Sequence, residues 1–530
     1  MNNGPVTSPA IPAGAARNVL LGTATKYVLL AVNIGIGAVL MPFTVEHLGV
    51  SEYGLWMLIA SLTYYFQLLD LGYGNGLVRH VVDADARGDV DGVNRVLSTF
   101  VVVYAVLGLC AAISSLGLIF WAVPRFPHLS DVDIRRGQIL LAIMGARIAI
   151  GFPMTVFGAV TNARQRFALN NVVAIAVAIT NGIVTFLVLA SGGGLVTLVT
   201  ATTCVSLASY LAYAWTARRA FPSLRLRPSS FSRNLVRDVT TFSAYLFILD
   251  VAVQIGFNLD NVVVGAALGT SFVAVYAVTL RLADYQRQLC NQINGFLFPI
   301  AVRFGADGDG EALQSMLIET SRVALLMVIG VTVCVIGFAR PLILRWMGPG
   351  FESGVVPLYV LAITGVVLVG QGPLGNILLG TGRHRLVACV ALGEALVNLA
   401  LSVVLVRRFG MLGVAIGTGA PVFAANLFIL LPVACRQFRL SLWTFLRLTL
   451  AAPLAGAIPA IASCIAFRQF YPPVTLPMIV AEGGVVLLIY ALSACLLGFD
   501  REARSTYYVL ARRLVARPSP LIHAAPEAAS

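Results

Sequence analysis

Long apolar stretches, separated by short polar segments, follow one another along the whole chain. Crossing roughly 30 Å of hydrocarbon takes about 20 residues of α-helix, because each residue adds about 1.5 Å. The pattern therefore predicts an all-α integral membrane protein with about 14 transmembrane helices. The predicted spans are residues 26–46, 53–77, 97–121, 138–161, 169–190, 195–216, 241–266, 271–302, 313–338, 355–380, 386–406, 411–434, 443–466 and 474–497.

Composition narrows the class of protein. The 530 residues are 58% hydrophobic and 11% charged, which is roughly half the charged fraction of ordinary soluble chains. A water-soluble fold is therefore excluded. The eight cysteines stand singly, without the spacing of a zinc site or a disulfide scaffold. We expect a lipid bilayer around the chain, and we expect no metal, no cofactor and no nucleic acid partner.

Arginine placement predicts the orientation in the membrane. Short cytoplasmic loops retain basic residues, and an even number of spans leaves both termini on one side. With both termini inside, the inside segments hold 24 of the 36 basic residues, the outside loops hold 8 and the spans hold 4. We therefore expect a multi-pass protein of the bacterial inner membrane, with both termini in the cytoplasm.

Two short motifs recur at nearly the same offset. Leu48-Gly49-Val50-Ser51 recurs 220 residues later as Leu268-Gly269-Thr270-Ser271, and Asn162-Ala163-Arg164-Gln165-Arg166 recurs 219 residues later as Thr381-Gly382-Arg383-His384-Arg385. Because six spans is an even number, the repeat predicts two parallel six-helix bundles. The expected domains are an amino-terminal lobe at 16–237, a carboxy-terminal lobe at 238–436, two further helices at 437–500 and a basic cytoplasmic tail at 501–530.

Polar residues inside predicted span 7 form a stripe. Asp250, Gln254, Asn258 and Asn261 fall within an arc of about 80° on a helical wheel, and Asp260 lies apart from them. Ionisable and amide groups are costly inside a membrane, so they tend to face a cavity or a partner. The stripe predicts that Asp250, Gln254 and Asn258 line a substrate cavity, and Asp260 is a candidate for ion coupling or gating.

Span 8 carries a second polar face. Arg281, Asp284 and Gln288 lie within an arc of about 100°, while Arg287 points elsewhere on the wheel. One interpretation is that Arg281 and Asp284, three residues apart, neutralise each other and serve packing. The other is that this face lines a water-filled cavity for an anionic, hydroxyl-rich substrate, which suits guanidinium geometry.

Three further ionisable residues are candidates. Arg147 stands near the middle of span 4 without a local partner, which favours a cavity position. Asp70 ends span 2 beside several glycines, where it either caps the helix end or takes part in gating. Glu394 lies one turn from Asn398 in span 11, where it is either a buried neutral carboxyl or a carrier of a coupling proton.

Several motifs, taken in order, carry a family resemblance. They are Leu69-Asp70-Leu71-Gly72-Tyr73-Gly74, Asp260-Asn-Val-Val-Val-Gly265 and Gly410-Met-Leu-Gly413. With the layout of six, six and two spans, residues 16 to 500 resemble the polysaccharide transporter branch of the multidrug/oligosaccharidyl-lipid/polysaccharide (MOP) exporter superfamily. This branch comprises the Wzx-type O-antigen and exopolysaccharide flippases.

The resemblance implies a mechanism and partners. It implies a MATE-like fold in which two bundles form a V-shaped cavity that opens to alternate sides. The implied substrate is an undecaprenyl-pyrophosphate-linked oligosaccharide repeat unit for O-antigen, capsule or exopolysaccharide. An ion gradient, of H⁺ or Na⁺, would supply the energy. A polysaccharide polymerase and a chain-length regulator are the implied protein partners.

Two relatives and one enzyme class are alternatives. A multidrug exporter of the superfamily would carry an acidic residue within span 1, and residues 26–45 contain none. Lipid II flippases carry arginines on span 1, where only Lys26 stands. A membrane glycosyltransferase or polymerase needs a long outer loop or a catalytic acid, and the longest outer loop, near 124–138, holds only Asp131 and Asp133 as acids. We therefore expect no enzyme activity and no catalytic residue.

Overall fold

The computed structural model describes residues 13–291 and 310–498, and every regular element in these ranges is helical. Ten helices in the described ranges are long and apolar enough to cross a membrane. One of these, His384–Gln437, contains two antiparallel arms. Four further helices, Val50–Tyr64, Tyr73–Ala86, Arg233–Leu268 and Thr270–Cys290, are not among the ten. The helices follow the predicted order of spans, which confirms the fold class.

The amino-terminal half contains the first six predicted spans. Span 2 is broken, because a 3₁₀ turn at Tyr65–Asp70 is followed by Leu71 and Gly72, both left-handed with φ of 52° and 75°. The helices are α1 (Ala13–Leu48), α2 (Val50–Tyr64), α3 (Tyr73–Ala86), α4 (Val90–Gly117), α5 (Asp131–Ala163), α6 (Phe167–Ala190) and α7 (Leu195–Ala220).

The carboxy-terminal half repeats this arrangement and adds two helices. Gly410, with φ 57° and ψ −137°, divides the longest helix into two arms that pack against each other. The helices are α8 (Arg233–Leu268), α9 (Thr270–Cys290), α10 (Gly310–Trp346), α11 (Val355–Gly380), α12 (His384–Ala425), α13 (Leu431–Gln437), α14 (Leu442–Phe470) and α15 (Leu476–Leu497).

The joint between the halves is built from the repeated motif. Gly49 and Gly269 have φ of 83° and 94°, so each lets the chain turn sharply from one helix into the next. The helices that follow them, α2 and α9, pack against each other. A Cβ atom at Gly54 would lie 1.8 Å from the Thr270 carbonyl oxygen, so only glycine permits this approach. The Ser51 and Thr270 hydroxyl oxygens lie 2.9 Å apart across the joint.

Other contacts strengthen this joint. Asn261 Nδ2 donates to Ser61 Oγ at 3.0 Å, and Trp346 Nε1 donates to the Ala38 carbonyl at 2.6 Å. Tyr53 and Leu58 of α2 belong to the same apolar core as the helices of the second half. The two halves therefore share buried apolar surface, which is the main source of stabilisation where water is excluded.

The linker between the halves is fastened to α4. Asn94 Nδ2 donates to the Ser223 carbonyl at 3.0 Å and its Oδ1 accepts from the Arg225 N–H at 2.8 Å. The Arg227 N–H donates to Ser98 Oγ at 2.9 Å, which continues the attachment along the helix. The linker is thus part of the amino-terminal half, and the chain leaves that half only where α8 begins.

Candidate functional site

A cavity of about 830 Å³ opens within the amino-terminal half, between the turn before α3, α5 and α7. Its apolar wall includes Phe152, Met154 and Ile148. Its polar wall contains a cation, an anion, two phenols and two amides. These are Arg147, Asp70, Tyr210, Tyr213, Gln67 and Asn162.

The break in span 2 positions the Asp70 carboxylate. The left-handed residues after it turn the chain, so that the Gly74 N–H donates to Asp70 Oδ2 at 3.3 Å. The Tyr104 hydroxyl, from α4, donates to Oδ1 at 2.8 Å. Asp70 therefore caps the amino end of α3 and also lines the cavity, while its role in gating stays a prediction.

Arg147 extends into the cavity from the middle of α5. It is partly buried, and no carboxylate pairs with it among the side chains that the structure describes. Gly151, one turn further along α5, leaves room for α7, because a Cβ atom there would lie 2.4 Å from the Tyr210 hydroxyl. The predicted cavity position of Arg147 agrees with this geometry, although its role in transport stays a prediction.

An ion pair and two further contacts of one arginine hold together the helices that border the cavity. Arg164, at the end of α5, donates to Asp85 Oδ1 at 2.6 Å and to the Ala220 carbonyl at 2.8 Å, and stacks over the Phe221 ring. These contacts join α3, α5 and α7 at one end. The cavity walls are therefore held by specific contacts rather than by apolar packing alone.

The polar face of α9 differs from its predicted arrangement. Asp284 forms its ion pair with Arg287, not with Arg281, so the interpretation in which Asp284 neutralises Arg281 does not hold. Arg287, which we placed on another face, also borders a small space with Asp284. Asp284 lies three residues from Arg281 and three residues from Arg287, so either arginine has the spacing of an ion pair on one helix. The Arg281 guanidinium lies 5.9 Å from the centre of the Tyr285 ring.

The exposed part of this face turns towards the amino-terminal half. Arg281 and Gln288 are both exposed, and the Tyr285 hydroxyl lies against Gly37 of α1. No ion pair of Arg281 occurs within the described part of the chain. Asp250, Gln254 and Asn258 of α8 have side chains outside the described residues, so their cavity positions stay predictions.

Asp260 is the centre of a buried cluster of oxygen atoms. The carboxylate is 2% exposed, and its Oδ2 accepts hydrogen bonds from the Tyr276 and Thr418 hydroxyls, each at 2.9 Å. Ser402 Oγ donates to Asn398 Oδ1 at 3.0 Å, and Thr418 lies 3.5 Å from the same oxygen. A buried carboxylate needs such partners, because desolvation penalises its charge.

Sequence patterns identify Asp260 as a candidate but not the oxygen atoms that surround it. The sequence feature that could have indicated this cluster is the i, i+4 spacing of Asn398 and Ser402 on the first arm of α12. Thr418, on the second arm of α12, contacts Asn398. A space of about 20 Å³ separates Asp260 from the Asp284–Arg287 pair, which is room for about one water molecule. Glu394 lies one turn from Asn398 but makes no hydrogen bond to any residue of the described ranges.

Comparisons with known proteins agree with the predicted family. Residues 21–304 match the family described as "Polysaccharide biosynthesis protein". Membrane protein EpsK of Bacillus subtilis (strain 168) is 22% identical over 470 residues, which cover 87% of this chain and 92% of EpsK. Membrane protein MJ1068 of Methanocaldococcus jannaschii is 23% identical over 202 residues, 38% of this chain and 40% of MJ1068.

Solved structures share the fold. The lipid II flippase MurJ in an inward closed conformation superposes with a TM-score of 0.68 at 14% identity, covering 94% of this chain and 100% of MurJ. An inward-facing multidrug resistance MATE transporter of the MOP superfamily gives a TM-score of 0.65 at 14% identity, covering 78% of this chain and 98% of that protein. The predicted MOP fold is thereby confirmed.

Proposed function

The chain belongs to the polysaccharide biosynthesis family, and on that premise we propose that it is a flippase for lipid-linked oligosaccharides. In this proposal it moves undecaprenyl-pyrophosphate-linked repeat units across the bacterial inner membrane by alternating access, without enzyme activity. The family and the MOP fold support a membrane transporter or flippase. The cavity lined by Arg147 and Asp70 is the observation that carries the finer proposal.

The composition of this cavity suits a sugar chain. The hydroxyl groups of a sugar both donate and accept hydrogen bonds. Amides and phenols can do both as well, and a carboxylate accepts. Gln67, Asn162 and Tyr213 supply such groups, while Arg147, which has no ion pair among the described side chains, supplies a charge for an acidic sugar. The volume of about 830 Å³ lies in the range of roughly 300–1,000 Å³ that small-molecule sites occupy.

Arg281 is the proposed contact for the diphosphate. Its face of α9 turns towards the amino-terminal half, so a ligand between the halves would meet an exposed guanidinium there. Arginine binds phosphate oxygens through two parallel N–H donors, which favours this residue type. The polyprenyl tail stays in lipid. Because the tail is apolar, its movement across the membrane buries no polar group in hydrocarbon.

The buried Asp260 cluster is the proposed coupling site. A carboxylate surrounded by hydroxyl and amide oxygens can bind a proton directly or bind Na⁺ through oxygen ligands. Tyr276 lies on α9 and Thr418 on α12, so binding of an ion to Asp260 changes the hydrogen bonds that join α8 to both helices. The polymerase and the chain-length regulator belong to this proposal as its expected partners.

Complementation tests the proposal. In a strain that lacks the protein, we expect lipid-linked repeat units to accumulate in the cytoplasmic leaflet and surface polysaccharide to be lost. The wild-type chain restores export, whereas Arg281→Ala inserts normally and does not. Restoration of peptidoglycan precursor transport would instead support a lipid II flippase. Normal surface polysaccharide with altered resistance to cationic drugs would support a multidrug exporter.

A further inference from the structure

Three arginines meet at a second cavity, near the ends of α10 and α14. Arg340 and Arg345 come from α10 and Arg468 from α14, and together they border a space of about 460 Å³. The orientation predicted from arginine placement puts this end outside, where basic residues are scarce. Membrane orientation therefore does not explain why three arginines border one cavity, whereas binding of an anionic ligand would explain it.

Charge in this cavity is only partly compensated. Glu352 accepts from Arg340, with Nη2 at 2.8 Å and Nε at 2.9 Å from the same Oε1 atom. Arg345 and Arg468 are exposed and have no ion pair within the described part of the chain. Three guanidinium groups and one carboxylate leave two positive charges at the cavity. An anion with more than one oxygen acceptor matches this arrangement.

The surroundings of the cavity indicate a lipid. Phe470 and Tyr471, just beyond Arg468, are 73% and 67% exposed, and exposed aromatic residues of this kind mark the interface between lipid and water. Ile465 and Ile461, one and two turns before Arg468 in α14, are 52% and 48% exposed and continue an apolar surface away from the arginines. A headgroup at the arginines would therefore have its acyl or prenyl chain on this apolar surface.

Prolines stiffen the cavity. Pro349, Pro472 and Pro473 line it together with Pro341 of α10. Proline fixes φ near −65°, so these wall segments lose little entropy when a ligand binds. We propose that this cavity binds the phosphate of a membrane lipid in the outer leaflet. The lipid is either an anionic phospholipid or a polyprenyl diphosphate, and only the second source rests on the proposed function.

Lipid retention tests the site without a transport assay. The full chain is reconstituted in phosphatidylcholine nanodiscs that contain a small fraction of phosphatidylglycerol or of undecaprenyl diphosphate, and the lipid retained after detergent extraction is measured by mass spectrometry. We expect the double variant Arg345→Gln/Arg468→Gln to retain at least about tenfold less of the preferred lipid, because the loss of even one charge-assisted hydrogen bond costs that much.

Two further variants keep the result interpretable. Arg407→Gln/Arg408→Gln removes two exposed arginines at the same end but outside the cavity, and retention should not change. Arg345→Lys/Arg468→Lys keeps the charge and should recover most of the retention. Preference for undecaprenyl diphosphate would identify a release site for the transported lipid, and preference for phosphatidylglycerol a resident lipid. Equal retention by wild type and the Gln variant would overturn the proposal.

Discussion

The two halves of the molecule hold an aspartate in opposite settings. In the amino-terminal half, Asp70 accepts from Tyr104 at the wall of a cavity of about 830 Å³. In the carboxy-terminal half, Asp260 accepts from Tyr276 and is 2% exposed, beside a space of about 20 Å³. Among the described residues, Asp70 thus lines a wide polar cavity, whereas Asp260 lies in a closed polar cluster. This contrast favours substrate binding in the first and ion coupling in the second.

Asp260→Asn should produce the largest effect. The amide keeps an oxygen acceptor for Tyr276 and Thr418 but removes the charge, so the fold should persist while coupling is lost. We expect transport in reconstituted vesicles to fall about 100-fold, at the upper end of typical coupling free energies. Glu482→Gln is the matched control, because Glu482 is a buried carboxyl of α15 outside the cluster. An equal loss in both variants would remove the special role of Asp260.

Arg147→Ala should weaken substrate binding. Losing a charge-assisted contact costs about 1.5–3 kcal/mol, which corresponds to a loss of about 10- to 100-fold in affinity. Arg135→Ala, an exposed arginine on the same helix, should leave export unchanged. Export of polysaccharide is measured for both variants at equal amounts of protein in the membrane. Normal export by Arg147→Ala would exclude this cavity as the sugar site.

Gly151→Ala should disturb the cavity wall by a predictable amount. The added methyl group would lie 2.4 Å from the Tyr210 hydroxyl, and overpacking of this kind costs about 1–3 kcal/mol. Tyr210→Phe removes that hydroxyl and should restore the thermal stability of the double variant. Failure of the second substitution to restore stability would show that the strain lies elsewhere.

The smallest expected effect is a difference in thermal stability between Tyr104→Phe and Tyr276→Phe. In Tyr104→Phe, water in the cavity can replace the lost donor to Asp70, so thermal unfolding should change little. In Tyr276→Phe, the buried Asp260 loses one of its two described hydroxyl donors, which costs about 1–3 kcal/mol. Similar stabilities for the two variants would contradict the difference in water access between the halves.

Much of the fold was predictable from the sequence. Apolar stretches of sufficient length can be counted, and the motif around Gly49 and Gly269 predicted the repeat whose two copies form the joint. The break in span 2 was not predicted, because the span was counted from its length, although Asp70 and Gly72 interrupt the apolar stretch at the turn.

The site was less predictable. Helical wheels identify the face of one helix but not its rotation against neighbours, so the shared cavity of Asp70 and Arg147 could not be derived. Local spacing also could not choose between Arg281 and Arg287 as the partner of Asp284, since both lie three residues away. The Asp260 cluster draws on three helices that are distant in sequence, and only their packing brings the oxygens together.

Alternating access is the central claim, and a cross-link at the joint tests it most directly. Ser51 and Thr270 face each other with hydroxyl oxygens 2.9 Å apart, so Ser51→Cys/Thr270→Cys should form a disulfide between the halves. Transport of lipid-linked oligosaccharide by reconstituted vesicles is measured after oxidation and again after reduction, with each single variant as control. The account predicts that the cross-linked protein is inactive and recovers on reduction. Full transport by completely cross-linked protein would contradict it.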